Sequence, residues 1–272
     1  MSKIDIHPFF DEVTNTVTYV VSDEETHQSA VIDPVLDFAA NSGIISYQNA
    51  DKIIQYLKDN DYQLQWILET HAHADHLSAS QYLKQECGGL IGIGEHIQKV
   101  QCAFKPIFNL SDEMPCDGSQ FDRLFVDGGQ FNLGNKVIEV LHTPGHTAAC
   151  ICYKIEDVVF VGDTLFMPDF GTARTDFPQG SAQQLYQSIQ KILSLPDDTQ
   201  IFVGHDYKAP NRDEYAWQTS VAHQKLYNVH IKAGTTEQEF IEFRNKRDAG
   251  LDVPKLLLPS IQINIQAGHL PE

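Results

Sequence analysis

Four apolar runs in this chain lead into side chains that seek metal, and this recurrence constrains the fold more than any other feature. The run in "ILETHAHADHLSAS", residues 67–80, opens onto His71, His73, Asp75 and His76. Downstream, "EVLHTPGHTA" reaches His146, "VVFVGDT" reaches Asp163, and "IFVGHDY" carries His205. A metal site needs several lone pairs converging on one point, and a compact motif supplies only part of the shell. Without an ion, so many crowded titratable groups would each need a buried partner. In an extended turn His71 and His73 project to one side and are expected to grip one ion. Asp75 and His76 are displaced along the turn toward a neighbouring position.

The rest of the chain places these donors on strand ends. "TVTYVVSD" and "QSAVIDPV" read as an antiparallel pair across a polar turn. "ADKIIQYLKDN" sets Ile53, Ile54 and Leu57 at helical spacing, and "YQLQWILET" is a short strand that stops at the histidine cluster. "HLSASQYLKQECGG" reads as a helix closed by Gly88 and Gly89. The cluster is thus expected on a strand-to-helix turn, where open α/β sheets hold their ligands. Between about 121 and 166 consecutive strands follow: "RLFVDGG", "KVIEVLHTPGH", "ACICYKIED" and "VVFVGDTLF". "SAQQLYQSIQKILSLP" is helical and "QIFVGHDY" a strand. "DEYAWQTSVAHQKLYNV" and "TTEQEFIEFRNKRDA" read as helices. The whole is expected to be one α/β domain over residues 1–272, with a core from about 15 to 205 and a largely helical portion from about 206 to 272.

Composition narrows the function. A length of 272 residues with 42% hydrophobic content suits a substantial core. The formal net charge of −18 argues against a nucleic-acid partner, which calls for a basic face. No stretch has the ~18 apolar residues of a membrane span, and "MSKIDIHPFFDEV" does not resemble a secretory signal. Five cysteines with no CxxC pair suit a reducing compartment, with the cytoplasm as the default. Cys150 and Cys152 are expected to be small buried hydrophobes. His142 reads as a supporting residue, and His7, His27, His96, His223, His230 and His269 as surface or helix-face residues.

Taken together, the HxHxDH run, "TPGHT" with His146, "GDT" with Asp163 and "GHD" with His205 resemble the metallo-β-lactamase superfamily, in order from about residue 15 to 205. The resemblance implies an αββα sandwich of two mixed sheets flanked by helices, with the metal at one edge between the sheets. Two members fit the donor set. If all of these positions bind, the arrangement resembles glyoxalase II, a hydroxyacylglutathione hydrolase. One zinc, iron or manganese ion would then take His71, His73 and His146, the other Asp75, His76 and His205, with Asp163 bridging. Alternatively, His71, His146 and Asp163 alone form the 2-His-1-carboxylate set of non-haem Fe(II) oxygenases, the triad of persulfide dioxygenases in this superfamily.

"ARTDFPQG" within "GDTLFMPDFGTARTDFPQG", together with "HDYKAPNRDEYAW" and "PKLLLPSIQINIQAG", is more similar to the persulfide dioxygenase branch, in particular its bacterial members. That resemblance implies oxidation of glutathione persulfide by O2 to sulfite and glutathione at one Fe(II), in a likeness to homodimeric relatives. His71, His146 and Asp163 are then the catalytic metal ligands, with His73, Asp75, His76 and His205 in support. Arg174, Tyr207 and Lys208 are candidates for contacting the substrate, Arg212 a weaker one, and Arg174 has Asp176 as an internal alternative partner. Gln266 stands where relatives often carry an arginine.

Overall fold

Alternation in the strand Thr16–Asp23 divides its side chains between two cores. Val17, Tyr19 and Val21 join one apolar cluster, and Val20 joins another on the opposite face, as a period of two requires. The computed structural model describes residues 3–110, 114–210 and 212–271. Its strands are β1 (Ile4–Asp11), β2 (Thr16–Asp23), β3 (Gln28–Ile32), β4 (Val35–Ala39), β5 (Ile44–Ser46), β6 (Gln63–Leu68), β7 (Leu77–Ser78), β8 (Leu90–Gly94), β9 (Arg123–Phe125), β10 (Gln130–Leu133), β11 (Lys136–His142), β12 (Ile151–Ile155), β13 (Val158–Phe160), β14 (Gln200–Phe202) and β15 (Gln218–Ser220). The helices are α1 (Gln48–Asp59), α2 (Ser80–Cys87), α3 (Ile97–Ile107), α4 (Ala182–Leu193), α5 (Val221–Tyr227), α6 (Glu237–Asp248) and α7 (Leu257–Asn264).

One mixed sheet runs β1-β2-β3-β6-β8-β9 and a second runs β10 through β15 in order. Between them lie Tyr19, Ile32, Trp66 and Leu68 from the first sheet and Ile138, Tyr153, Phe160 and Phe202 from the second. On the outer face of the first sheet, Val20, Ile67 and Ile91 pack with Ile53 of α1, Leu83 of α2, Val100 of α3 and Ile261 of α7. On the outer face of the second, Cys152, Val159 and Ile201 pack with Leu185 and Ile189 of α4, Val221 of α5 and Phe240 of α6. The layers are therefore helices, sheet, sheet, helices: the αββα sandwich.

Two expected helices are shorter than their sequence patterns. Over 76–89 the helix begins only at Ser80, because Leu77 and Ser78 pair with Leu36 and Val35 as β7. Burial of Leu77 and the bond from Ser78 N to the Asn264 side chain hold that pairing. Over 213–229, Gln218–Ser220 is instead an edge strand on β14, and Ser220 caps the short helix α5. Cys150 and Cys152 are buried, and burial pushes both thiols up to about 12. The C-terminal helices complete both outer layers, α6 through Phe240 and α7 through Ile261 and Ile263. No helix among the described residues is long and apolar enough to cross a membrane.

Candidate metal centre

The donors meet at one edge of the sandwich, where strands of both sheets finish. β3 and β6 run parallel and end at Asp33 and at the turn carrying His71. β13 and β14 also run parallel and lead to Asp163 and His205. Main-chain bonds lock the edges together: Ile151 N donates to Thr70 O, Val17 N to Gly204 O, and Gly204 N to Gly162 O. Two glycines permit the close approach. Gly162 has φ +49°, and a Cβ there would lie 2.4 Å from Thr70 Oγ1. At Gly145, just before His146, a Cβ would lie 2.3 Å from the Leu185 nitrogen.

Three groups have ligand atoms all within 4.8 Å of one another: besides Asp33, Glu69 and His73, the expected donors sort into two, His71, His146 and Asp163 in one, and His73, Asp75, His76 and His205 in the other. Asp163 reaches toward both. Its Oδ2 is 4.0 Å from His71 Nε2 and 3.7 Å from His146 Nε2, and its Oδ1 is 3.3 Å from His205 Nε2. His73 departs from the expected pairing with His71. Their ring centroids are 4.0 Å apart, yet His73 Nε2 bonds Asp33 Oδ1 at 3.0 Å, which leaves its Nδ1 with the second group. Glu69 stands on the same side, with Oε2 3.4 Å from His73 Nε2.

Each imidazole spends its N–H outside the centre. His146 Nδ1 donates to Arg174 O at 2.8 Å, His76 Nδ1 to Leu77 O at 3.1 Å, and His205 Nδ1 to Asn15 O at 3.2 Å. Thr70 Oγ1 donates to Asp33 Oδ2 at 2.8 Å and so accepts from His71 Nδ1 at 3.0 Å. A carbonyl can only accept, so in a neutral ring the other nitrogen holds a bare lone pair directed inward. His71 Nε2, His73 Nδ1, His76 Nε2 and His205 Nε2 are buried without a hydrogen-bond partner, as are Asp75 Oδ2 and Asp163 Oδ1. An orphan of this kind costs ~1–3 kcal/mol, and so many in one place fit metal binding at this cluster. His205 Nε2 lies 3.2 Å from Asp75 Oδ2, but the two are not aligned as a hydrogen bond.

Burial and the surrounding imidazoles set the protonation. Burial first, then the neighbouring histidines, hold His71 well below its ordinary pKa; burial pushes His76 down to about 3. Burial also depresses His73, but Asp33 and Glu69 outweigh it and hold this ring well above its usual value. Burial raises the Asp163 carboxyl. Neutral His71 and His76 are in the form that ligates a metal.

A cavity of about 300 Å³ opens onto the centre and is lined by His146, Asp163 and Asp75. Tyr207 lines it too, stacked on His205 with ring centroids 5.5 Å apart. Arg174 also lines it, but its Nε and Nη2 bond Asp176 at 2.6 Å and its Nη1 bonds Asp252 O at 2.7 Å. Lys208 is turned to the Tyr215 ring, 4.1 Å from its centroid, and Arg212 is tied to Asp169 and Asp206. Gln266 Nε2 donates to Gln262 O. His142 Nε2 bonds Ala148 O and lies outside both groups. Asp33, Glu69, Asn264 and the cavity arginines Arg244 and Arg247 were not singled out by the sequence pattern. Asn264 donates to the carbonyls of His73 and His76 and so holds the HxHxDH turn.

The metallo-beta-lactamase superfamily profile matches residues 11–205. The chain belongs to that superfamily, and its His/Asp cluster is the metal-binding site of the fold. Glyoxylase B2 of Dictyostelium discoideum is 49% identical over 272 residues, covering 99% of this chain and 92% of that protein. The beta-lactamase hydrolase-like protein of Xylella fastidiosa is 48% identical over 264 residues, 97% of this chain; the chain spans 61% of that protein's length. Human mitochondrial persulfide dioxygenase ETHE1 is 32% identical over 205 residues, 74% of this chain and 68% of that protein. The crystal structure of ETHE1 from Myxococcus xanthus superposes with a TM-score of 0.78 at 32% identity, covering 97% of this chain and 100% of that one.

Proposed function

We propose that this protein is a glutathione-dependent persulfide dioxygenase, with His71, His146 and Asp163 holding one Fe(II) per chain. The overall reaction takes glutathione persulfide, O2 and water to glutathione and sulfite. The observation that carries this reading is the separation of donors. The three-residue group opens on the cavity, while His73 falls with the other group. Two imidazoles and one carboxylate leave neighbouring coordination positions free. Ferrous iron, when bound, supplies electrons for O2 activation and adjacent positions for O2 and a sulfur anion.

The chain's own residues do the rest. Thr70 and the Arg174 carbonyl hold the Nδ1 protons of His71 and His146, aiming both Nε2 atoms inward. Asp163 Oδ2 completes the face, and its Oδ1 turns to His205. Phe166, Phe170 and Phe177 line the cavity and exclude water from the reacting sulfur. Tyr207 is positioned to touch the peptide part of the substrate. Arg174 acts on the wall through its pairing with Asp176, and Lys208 stays on Tyr215.

The test is metal content of the purified protein, followed by oxygen uptake with glutathione persulfide. About one iron per chain with oxygen consumed and sulfite formed is expected. Two metals per chain, cleavage of S-lactoylglutathione and no oxygen uptake would establish the second reading, a thioester hydrolase of glyoxalase II type. That reading is favoured by the second group, which with Asp163 Oδ1 offers a complete site for another ion, and by the relative named glyoxylase B2. A metal pair there lowers the pKa of a bound water.

A further inference from the structure

The helix α3 presents two faces with different neighbours. Val100 and Phe104 turn inward and, with Ala72 and Ala74 of the HxHxDH turn, line a narrow cleft that reaches His146. Gln98, Gln101, Cys102 and Lys105, spaced three and four apart, share another face. The chain over 114–120 is laced onto that face. Gln98 Nε2 donates to Asp117 O at 2.9 Å, Gly118 N donates to Gln101 Oε1 at 3.0 Å, and Lys105 Nζ donates to Met114 O at 2.8 Å. These bonds run backwards along the segment as they run forwards along the helix, so Cys102 falls opposite Cys116. The two thiols are hydrogen-bonded to each other. Cys102 is exposed and Cys116 half-buried, whereas Cys150 and Cys152 are sealed in the core.

Two thiols in contact, one of them open to solvent, are the parts of a dithiol–disulfide pair. We propose that Cys102 and Cys116 form a reversible disulfide, made by exchange with a low-molecular-weight disulfide, that staples the 114–120 segment to α3. The exposed Cys102 thiolate attacks one sulfur of the reagent, whose S–S bond breaks with release of one small thiol. Cys116 then attacks the Cys102 sulfur of the mixed disulfide and expels the second. Two protein thiols and one small disulfide become one protein disulfide and two small thiols; the pair is oxidised, the reagent is reduced, and both protons leave with the small thiols. Burial, and then the bond to Cys102, raise the Cys116 thiol above its ordinary pKa, while nearby Lys105 favours its thiolate. That setting suits Cys116 to the second, intramolecular step, where proximity offsets a small thiolate fraction. In a reducing compartment such a pair rests open and closes only under oxidation.

The test needs no turnover. The reduced, metal-loaded protein is incubated with glutathione disulfide, remaining thiols are alkylated, and the products are read by intact mass and peptide mapping. Wild type should lose two hydrogens, yield one cross-linked peptide pair containing Cys102 and Cys116, and reopen with dithiothreitol. C116S should stop at a glutathione adduct on Cys102, and C102S should form no cross-link. At equal metal content, oxidised wild type should melt about 5 °C above the reduced form, the effect of closing a loop of this length, and C102S should show no such shift. A lasting glutathione adduct on wild-type Cys102, a cross-link to another cysteine, no reaction, a bond that dithiothreitol leaves closed, or a cross-link with an unchanged or lowered Tm overturns the staple.

Discussion

The two donor groups are built from the same side-chain types and share Asp163, yet they face different surroundings. His71, His146 and Asp163 come from three distant segments, and two of the three line the cavity. In the other group only Asp75 lines it, and His73, His76 and His205 are each no more than 1% exposed. The supports differ as well. His71 and His146 hydrogen-bond to a neutral hydroxyl and a carbonyl, whereas His73 is clasped by the buried carboxylates Asp33 and Glu69. Access to a cavity and neutral support suit a centre that meets substrate. Enclosure, with anionic support at His73 and carbonyl support at His76 and His205, suits residues that hold an edge of the sandwich together. The lesson is that ligand identity alone does not decide the chemistry; the side each lone pair faces does.

The largest effect should come from the residue both groups share. Asp163→Ala removes the only carboxylate of the cavity-facing group, and metal content is expected to fall to about a tenth or less, with oxygen uptake lost alongside. Metal analysis after gel filtration checks this. Thr70→Val should come next. It removes the acceptor that sets the His71 tautomer and the donor to Asp33 Oδ2, so iron affinity is expected to drop by about 10–100-fold. Competition with a chelator reads that number, and an unchanged affinity would erase the assigned role of the Thr70 hydroxyl.

His205→Ala asks whether the groups are independent. With a mononuclear centre, iron stays near one per chain and oxygen uptake falls by about tenfold or less, because His205 touches the proposed ligand Asp163 only at 3.3 Å. If His205→Ala strips metal as Asp163→Ala does, the two groups are one dinuclear centre and the comparison collapses.

The candidate metal ligands were legible in the chain because each follows an apolar run, and a run of this kind ends at a sheet edge wherever the sheet lies. Their grouping was not legible. His71 and His73 sit two residues apart and suggest one ion, but Asp33, 40 residues away, takes His73 Nε2 and turns the ring's other nitrogen to the far group. A lone acid after "SAVI" carries no local mark that it will be 2% exposed under the cluster. The same holds for Arg247: on a helix of mixed charge it reads as an ordinary surface cation until the tertiary fold sets it in the cavity wall. Thr16–Asp23 was read to the residue because its β-branched alternation is strong, whereas Leu77–Ser78 was taken into a helix because a two-residue strand has no period.

The smallest effect is the sharpest control. Thr16→Val is the counterpart of Thr70→Val in the enclosed group, since Thr16 Oγ1 lies 3.3 Å from His205 Nδ1. The ring keeps Asn15 O at 3.2 Å, and Thr14 Oγ1, which loses its 2.8 Å contact with Thr16, keeps Asp11 at 2.6 Å. No donor is orphaned, so the cost is one net hydrogen bond, about 1 kcal/mol of stability by denaturant unfolding. Iron content should be unchanged and oxygen uptake within about twofold of wild type, because nothing aimed at the cavity-facing group has moved. Two isosteric threonine changes, each beside an imidazole of the same cluster, would then separate binding of metal from stability of the fold. Equal loss of metal in both would mean that His205 is a ligand of the working centre.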